Sequence, residues 1–177
     1  MNLKKLVTAA VCIMLMAAVA FTAGCGGEKK SDKKVLKVGM ECAYAPYNWS
    51  QTKADGGAVK IAGSNEYAYG YDVMMAKKLA DSMGADLEIH KIEWDGLAPA
   101  VVSGKIDAAI AGMSITSKRK ETVDFTKPYY YATVVALVKK DSEQAKAQSV
   151  ADLKGSVATS QLNTIWYCLL YTSPSPR

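Results

Sequence analysis

Hydrophobic and polar positions change rhythm several times along the chain, and each change predicts an element. Residues 6–21 form a sixteen-residue run without charge, preceded by Lys4 and Lys5. The run is shorter than the roughly 20 apolar residues of a membrane-spanning helix. A basic start, an apolar core and the small residues Thr22, Ala23 and Gly24 make it a secretory signal. From Val35 onward, short apolar runs alternate with helical patterns. Residues 35–40 (VLKVGM) alternate as a strand does. A loop rich in Tyr, Pro, Asn, Trp and Gly follows to about Ser64. In residues 72–83, Val73, Ala76, Leu79, Ala80 and Met83 share one helical face, and Gly84 suits the C-terminal cap. Residues 87–92 read as the next strand. Leu97, Ala100 and Val101 give a second helical face ending at Gly104, with Pro99 tolerated in its first turn. Residues 106–113 are nearly continuous in apolar character, the mark of a strand buried on both faces.

Strand, helix, strand, helix, strand implies an α/β fold with a parallel sheet and right-handed crossovers. In such sheets ligands sit outside the carboxyl ends of the strands. The loops after Met40, Ile92 and Ala111 are therefore where a site is expected. A second unit begins beyond Lys127: residues 129–140 (YYYATVVALVKK) predict a long strand, 141–147 are polar, 149–153 predict a short helix stopped by Gly155, and 156–160 predict another strand.

Composition adds three constraints. Thr-Ala-Gly-Cys, at residues 22–25, resembles the lipobox of bacterial lipoproteins, in which the cysteine is lipidated, palmitate included, and becomes the first residue. Thr22 stands where leucine is usual; an ordinary cleaved signal that contains a cysteine is the other reading. The stretch GGEKKSDKK (residues 26–34) suits a flexible tether behind such an anchor. Without residues 1–24, lysine plus arginine falls from 22 to 20 against 17 acidic residues, a net charge of +3. That charge is mild and evenly spread, which argues against a nucleic-acid partner. Cys12 leaves with the signal and Cys25 would carry lipid, so Cys42 and Cys168 do not make a disulfide scaffold.

The three loops carry the informative side chains: Glu41, Tyr44, Pro46, Tyr47 and Trp49 in the first, Trp94 in the second, and Gly112, Ser114, Thr116 and Arg119 in the third. They offer aromatic walls, a guanidinium, hydroxyls, an open glycine backbone and a carboxylate. No nucleophile elbow, metal-spaced His/Cys cluster or phosphate-binding glycine loop is present, so no catalytic residue, metal or cofactor is expected. His90, the single histidine, lies inside a strand pattern and reads as structural. On composition alone, Arg119 in the Lys118-Arg119-Lys120 run reads as a solvated cation.

GYDVMMAKKLADSMG (residues 70–84) and EWDGLAPAVVSGKIDAAIAGMSITSKRKETVDFTKPYY (residues 93–130) resemble the family 3 solute-binding proteins, which serve ABC transporters for polar amino acids. The resemblance runs from about Val35 to Tyr167. Met74 departs from it, since the family signature favours an acidic residue there. The resemblance implies the two-lobe fold of periplasmic binding proteins, with lobe one at residues 35–127 and part of lobe two at 128–167. It implies that Arg119 grips a ligand carboxylate, which a guanidinium can do bidentately, and that Ser114 helps hold it. Gly112 would offer its carbonyl to the ligand ammonium, against a reading as a turn glycine. Tyr44 and Trp94 would sandwich the ligand side chain, against packing under a loop. Glu41 matches an acidic position near the ligand; a surface carboxylate at a strand end is an equal reading. Thr159, Ser160 and Asn163 are weaker candidates from the second lobe. Thr116 reads as a helix cap and Asp72 as a helix-starting aspartate.

The function expected is an extracytoplasmic, monomeric lipoprotein held to the bacterial membrane by Cys25, not an enzyme. It would capture a polar amino acid for an ABC permease. A periplasmic dehydratase or a sensor input domain on the same scaffold are the alternatives. Residues 168–177 (CLLYTSPSPR) match nothing the family has there and read as a non-native tail on a C-terminally truncated fragment.

Overall fold

The computed structural model describes residues 33–167. The signal at residues 1–24, Cys25, the tether before Lys33 and the tail at 168–177 lie outside the described residues. Strand β1 (Val35–Met40) forms where alternation predicts it, and Leu36, Val38 and Met40 are buried. It is the middle strand of a parallel sheet ordered β6-β1-β7, with β6 at Asp86–Lys91 and β7 at Ala108–Ala109. Helix α1 (Tyr71–Met83) precedes β6, and α2 (Leu97–Val102) connects β6 to β7. Val73, Ala76 and Ala80, three of the five positions on the predicted face of α1, are buried, while Leu79 and Met83 are exposed. Gly84 ends the helix in the left-handed region at φ 62, where a side chain would be strained. Gly39 of β1 lies on the opposite face from Val38. A Cβ there would sit 2.5 Å from Ile106 Cδ1 and 3.1 Å from Leu97 Cδ2, so α2 and the turn after it fill that side.

Four stretches differ from the sequence expectation. The loop expected up to Ser64 instead carries β2 (Ala43–Tyr44), β3 (Asn48–Gln51) and β4 (Val59–Lys60), which join β5 (Tyr67–Tyr69) in an antiparallel sheet ordered β2-β3-β5-β4. These strands are too short for a period of two to show in sequence. Of the run at residues 106–113, only Ala108–Ala109 is strand; it borders one neighbour, and its residues are half-buried rather than enclosed. Residues 129–140 and 156–160 are not strands, because no ladder partner lies beside them among the described residues. Turns at Glu143–Lys146 and Val150–Leu153 occupy the polar and short-helix stretches. Ser149 and Asp152 form a reciprocal capping box at the second turn.

Candidate functional site

Because the strand order reverses at β1, the chain leaves β6 and β7 on opposite sides of it, and the loops after Met40, Lys91 and Ala109 meet at one edge. The first of these loops docks on α1 through main-chain bonds. The N–H groups of Tyr71 and Asp72, unpaired within α1, donate to the carbonyls of Pro46 and Tyr47 at 3.2 and 2.8 Å. Gly70 permits this approach: its φ is 126, and a Cβ would collide with the Tyr47 carbonyl. In the third loop, Thr116 caps the short helix α3 (Ser117–Lys120) by accepting from the Arg119 N–H at 3.2 Å.

Arg119 folds back from α3. Its Nη1 donates to the Ser114 carbonyl at 2.7 Å, and its guanidinium carbon lies 5.2 Å from the centre of the Trp94 ring. Arg119 Nη2 and Trp94 Nε1 donate to the same acceptor, the Asn163 carbonyl, at 3.0 and 3.3 Å. Asn163 has φ 59, and its Nδ2 donates to Asp95 at 3.0 Å. Glu41 accepts from Gln161 at 2.8 Å. Tyr44 stacks on Tyr47 with ring centres 5.0 Å apart and lies 6.2 Å from Trp166. Tyr44, Gly112 and Ser114 also line a cavity of about 400 Å³ with Tyr47, Tyr129 and Trp166, a volume suited to a small solute. Gly112 adopts φ 61, and a Cβ on it would lie 3.4 Å from the Tyr44 ring.

Trp94, Ser114, Arg119 and Asn163 are therefore gathered by direct bonds or a shared acceptor, Glu41 is held separately by Gln161, and Tyr44 and Gly112 stand together on the cavity wall. Tyr44 and Trp94 belong to different ring groups, Tyr44 with Tyr47 and Trp166, Trp94 with Arg119. Thr159 is exposed. Ser160 is half-buried, and its hydroxyl is shut from solvent without a hydrogen-bond partner among the described residues. Sequence reasoning missed Asp95, Gln161 and Trp166. Asp95 and Gln161 adjoin predicted site residues, whereas nothing local marks Trp166. His90, in β6, has Nε2 2.7 Å from the Glu88 carboxylate but without hydrogen-bond alignment. Burial pushes the Cys42 thiol up to about 11, which keeps it protonated at neutral pH.

A reversal of strand order with charged and aromatic groups at its carboxyl edge defines an α/β fold of the class in which ligands lie at such an edge. More particularly, the chain belongs to the bacterial extracellular solute-binding proteins, family 3, whose model matches residues 36–164. It is 32% identical over 160 residues to the arginine-binding extracellular protein ArtP of Bacillus subtilis, covering 90% of this chain and 56% of that protein. It is 32% identical to the ABC transporter arginine-binding protein 1 of Escherichia coli, covering 86% of this chain and 52% of the relative. Among solved structures, an ancestral arginine-binding protein bound to arginine superposes with a TM-score of 0.65 at 33% identity, over 80% of this chain and 56% of that one. The chain thus spans about half the length of the curated relatives it matches.

Proposed function

We propose that this chain forms the solute-capturing part of an extracytoplasmic lipoprotein that binds a polar amino acid, preferably one with a cationic side chain, and delivers it to an ABC uptake permease. The observation that carries this reading is the convergence of Arg119 Nη2 and Trp94 Nε1 on one carbonyl oxygen. Two donors, one of them charged, aimed at a single oxygen form a receptor for an anionic oxygen; the Asn163 carbonyl stands where a carboxylate oxygen of the solute would sit. Ser160, with a buried hydroxyl lacking a partner, gains one from a polar solute. Asp95, next to Trp94 in the chain and bonded to Asn163, and Glu41, bonded to Gln161, supply negative charge, and an aromatic ring with a carboxylate nearby favours an ammonium or guanidinium side chain. Two relatives described as arginine-binding proteins and one described as a probable histidine-binding protein agree with that preference. Membrane attachment would come through lipid on Cys25.

A dehydratase on the same scaffold is the competing reading. One similar structure, at TM-score 0.65 and 34% identity, is described as an ancestral amino acid-binding protein that is a precursor of cyclohexadienyl dehydratase. The donors at Arg119 bind rather than transfer protons, since a guanidinium stays protonated, which favours capture over chemistry.

Calorimetric titration of the full-length mature protein with L-arginine, L-lysine, L-histidine and L-glutamate tests the proposal. A cationic amino acid should bind most tightly. Arg119→Ala should cost about 2–5 kcal/mol, or roughly 30- to several thousand-fold in affinity, because it removes one partner of a desolvated charge pair. Affinity within threefold of wild type would refute the role given to Arg119.

A further inference from the structure

Asp72 is a carboxylate without solvent: it is fully buried, one residue into α1. A helix N-terminus favours an acid, but an exposed one would serve equally. Burial is costly unless both oxygens are bonded, and here both are. Asn48 Nδ2 donates to Oδ2 at 2.7 Å and the Tyr129 hydroxyl to Oδ1 at 2.8 Å. Burial raises the Asp72 pKa, and the bonds from Asn48 and Tyr129 oppose the rise.

Each of those donors has one further partner, and the chemistry fixes the direction. The Tyr129 hydroxyl uses its one proton in donating to Asp72, so toward Gly112 it can only accept, and it accepts from the Gly112 N–H at 3.1 Å. Asn48, with its Nδ2 on Asp72, presents Oδ1 to the Cys42 N–H at 2.8 Å. Two chains of bonds thus run outward from one carboxylate, and each ends on a main-chain N–H. Cys42 directly follows Glu41, and Gly112 lies two residues before Ser114. Both end residues have left-handed backbone, φ 56 at Cys42 and φ 61 at Gly112. For Cys42, which bears a side chain, that conformation persists only where its surroundings hold it.

We propose that Asp72 is a positioning residue for the solute site: through Asn48 and Tyr129 it sets the backbone of the loop carrying Glu41 and Tyr44 and of the loop carrying Gly112 and Ser114. The proposal rests on the reading that these loops hold the solute. In a trans peptide the N–H and C=O point in opposite directions. Fixing the Gly112 N–H therefore also fixes the Ala111 carbonyl and the direction in which the chain enters Ser114. The Tyr129 ring is held independently of its hydroxyl, stacked on Tyr71 with centres 6.1 Å apart. Deleting that hydroxyl therefore removes one bond chain and leaves the packing.

Amide hydrogen exchange of the solute-free, full-length mature protein tests this, followed by calorimetry with L-arginine. Tyr129→Phe should speed exchange at Gly112 by about tenfold or more while Cys42 keeps its protection. Asp72→Asn, which keeps the side-chain shape, should loosen both amides. Tyr129→Phe should also weaken L-arginine binding about tenfold, the scale of one lost hydrogen bond. The proposal is overturned if Gly112 stays as protected as in wild type. It is equally overturned if Tyr129→Phe speeds Cys42 and Gly112 alike, as general loosening would. Unchanged affinity beside a loosened Gly112 would remove the positioning role. A wild-type protein that takes up no L-arginine would count against the proposed function, leaving the exchange pattern to decide this inference.

Discussion

Residues 35–111 and residues 129–160 differ far more in structure than in sequence character. The first stretch supplies every buried hydrophobic among the described residues, from Leu36 to Ala111. The second contains YYYATVVALV, as β-compatible as anything in β1, yet every residue from 131 to 140 is exposed and none is in a strand. Propensity does not separate the two; partners do. β1 is flanked by β6 over six residues and by β7, so its main-chain groups are bonded on both sides. A strand-like sequence with no ladder beside it keeps its preference but not the structure.

The largest effect expected from this contrast is in stability. Ile89, with no exposed surface, and Leu137, 99% exposed, are residues of similar size with opposite surroundings. Ile89→Ala should destabilise by about 2–5 kcal/mol, through lost transfer energy and a cavity. Leu137→Ala should stay within about 0.5 kcal/mol. Denaturant unfolding of both variants decides it; a cost of 2 kcal/mol at Leu137 would show that residues 129–140 are packed after all.

A smaller effect concerns pH and belongs to the packed stretch. Burial holds the Asp72 carboxyl above its ordinary 3.8, so the folded chain keeps this proton to higher pH than the unfolded chain does. The stability it contributes is fully present below the unfolded value and is lost as pH rises through the folded one. Thermal unfolding across that range should show wild type losing stability from this group, and Asp72→Asn should flatten the loss. Parallel curves for the two proteins would contradict it.

How much could be read beforehand follows the same division. β1, α1 and α2 were legible because each has a period or a cap of its own: alternation at residues 35–40, an apolar face ending at Gly84, a proline confined to a first turn. The antiparallel sheet was not, since its strands run two to four residues and are defined by pairing, as at Trp49 with Tyr69. At the site, the residue types and the three loops were legible. The contacts of residues 161–167 were not, because Gln161 meets Glu41 across 120 positions of sequence. Asp72 shows the limit most clearly. Its place at the helix start was readable, but its burial and its two bond chains depend on Asn48 and Tyr129, which no local pattern links to it.

The most direct test of the central claim is a crystal structure of the full-length mature protein with L-arginine bound. The solute carboxylate should lie within hydrogen-bond distance of Arg119 and Ser114, in place of the Asn163 carbonyl, with its side chain between Tyr44 and Trp94 and its guanidinium toward Glu41 or Asp95. Arginine bound elsewhere, or Trp94 turned away with Arg119 still bonded to Asn163, would contradict it.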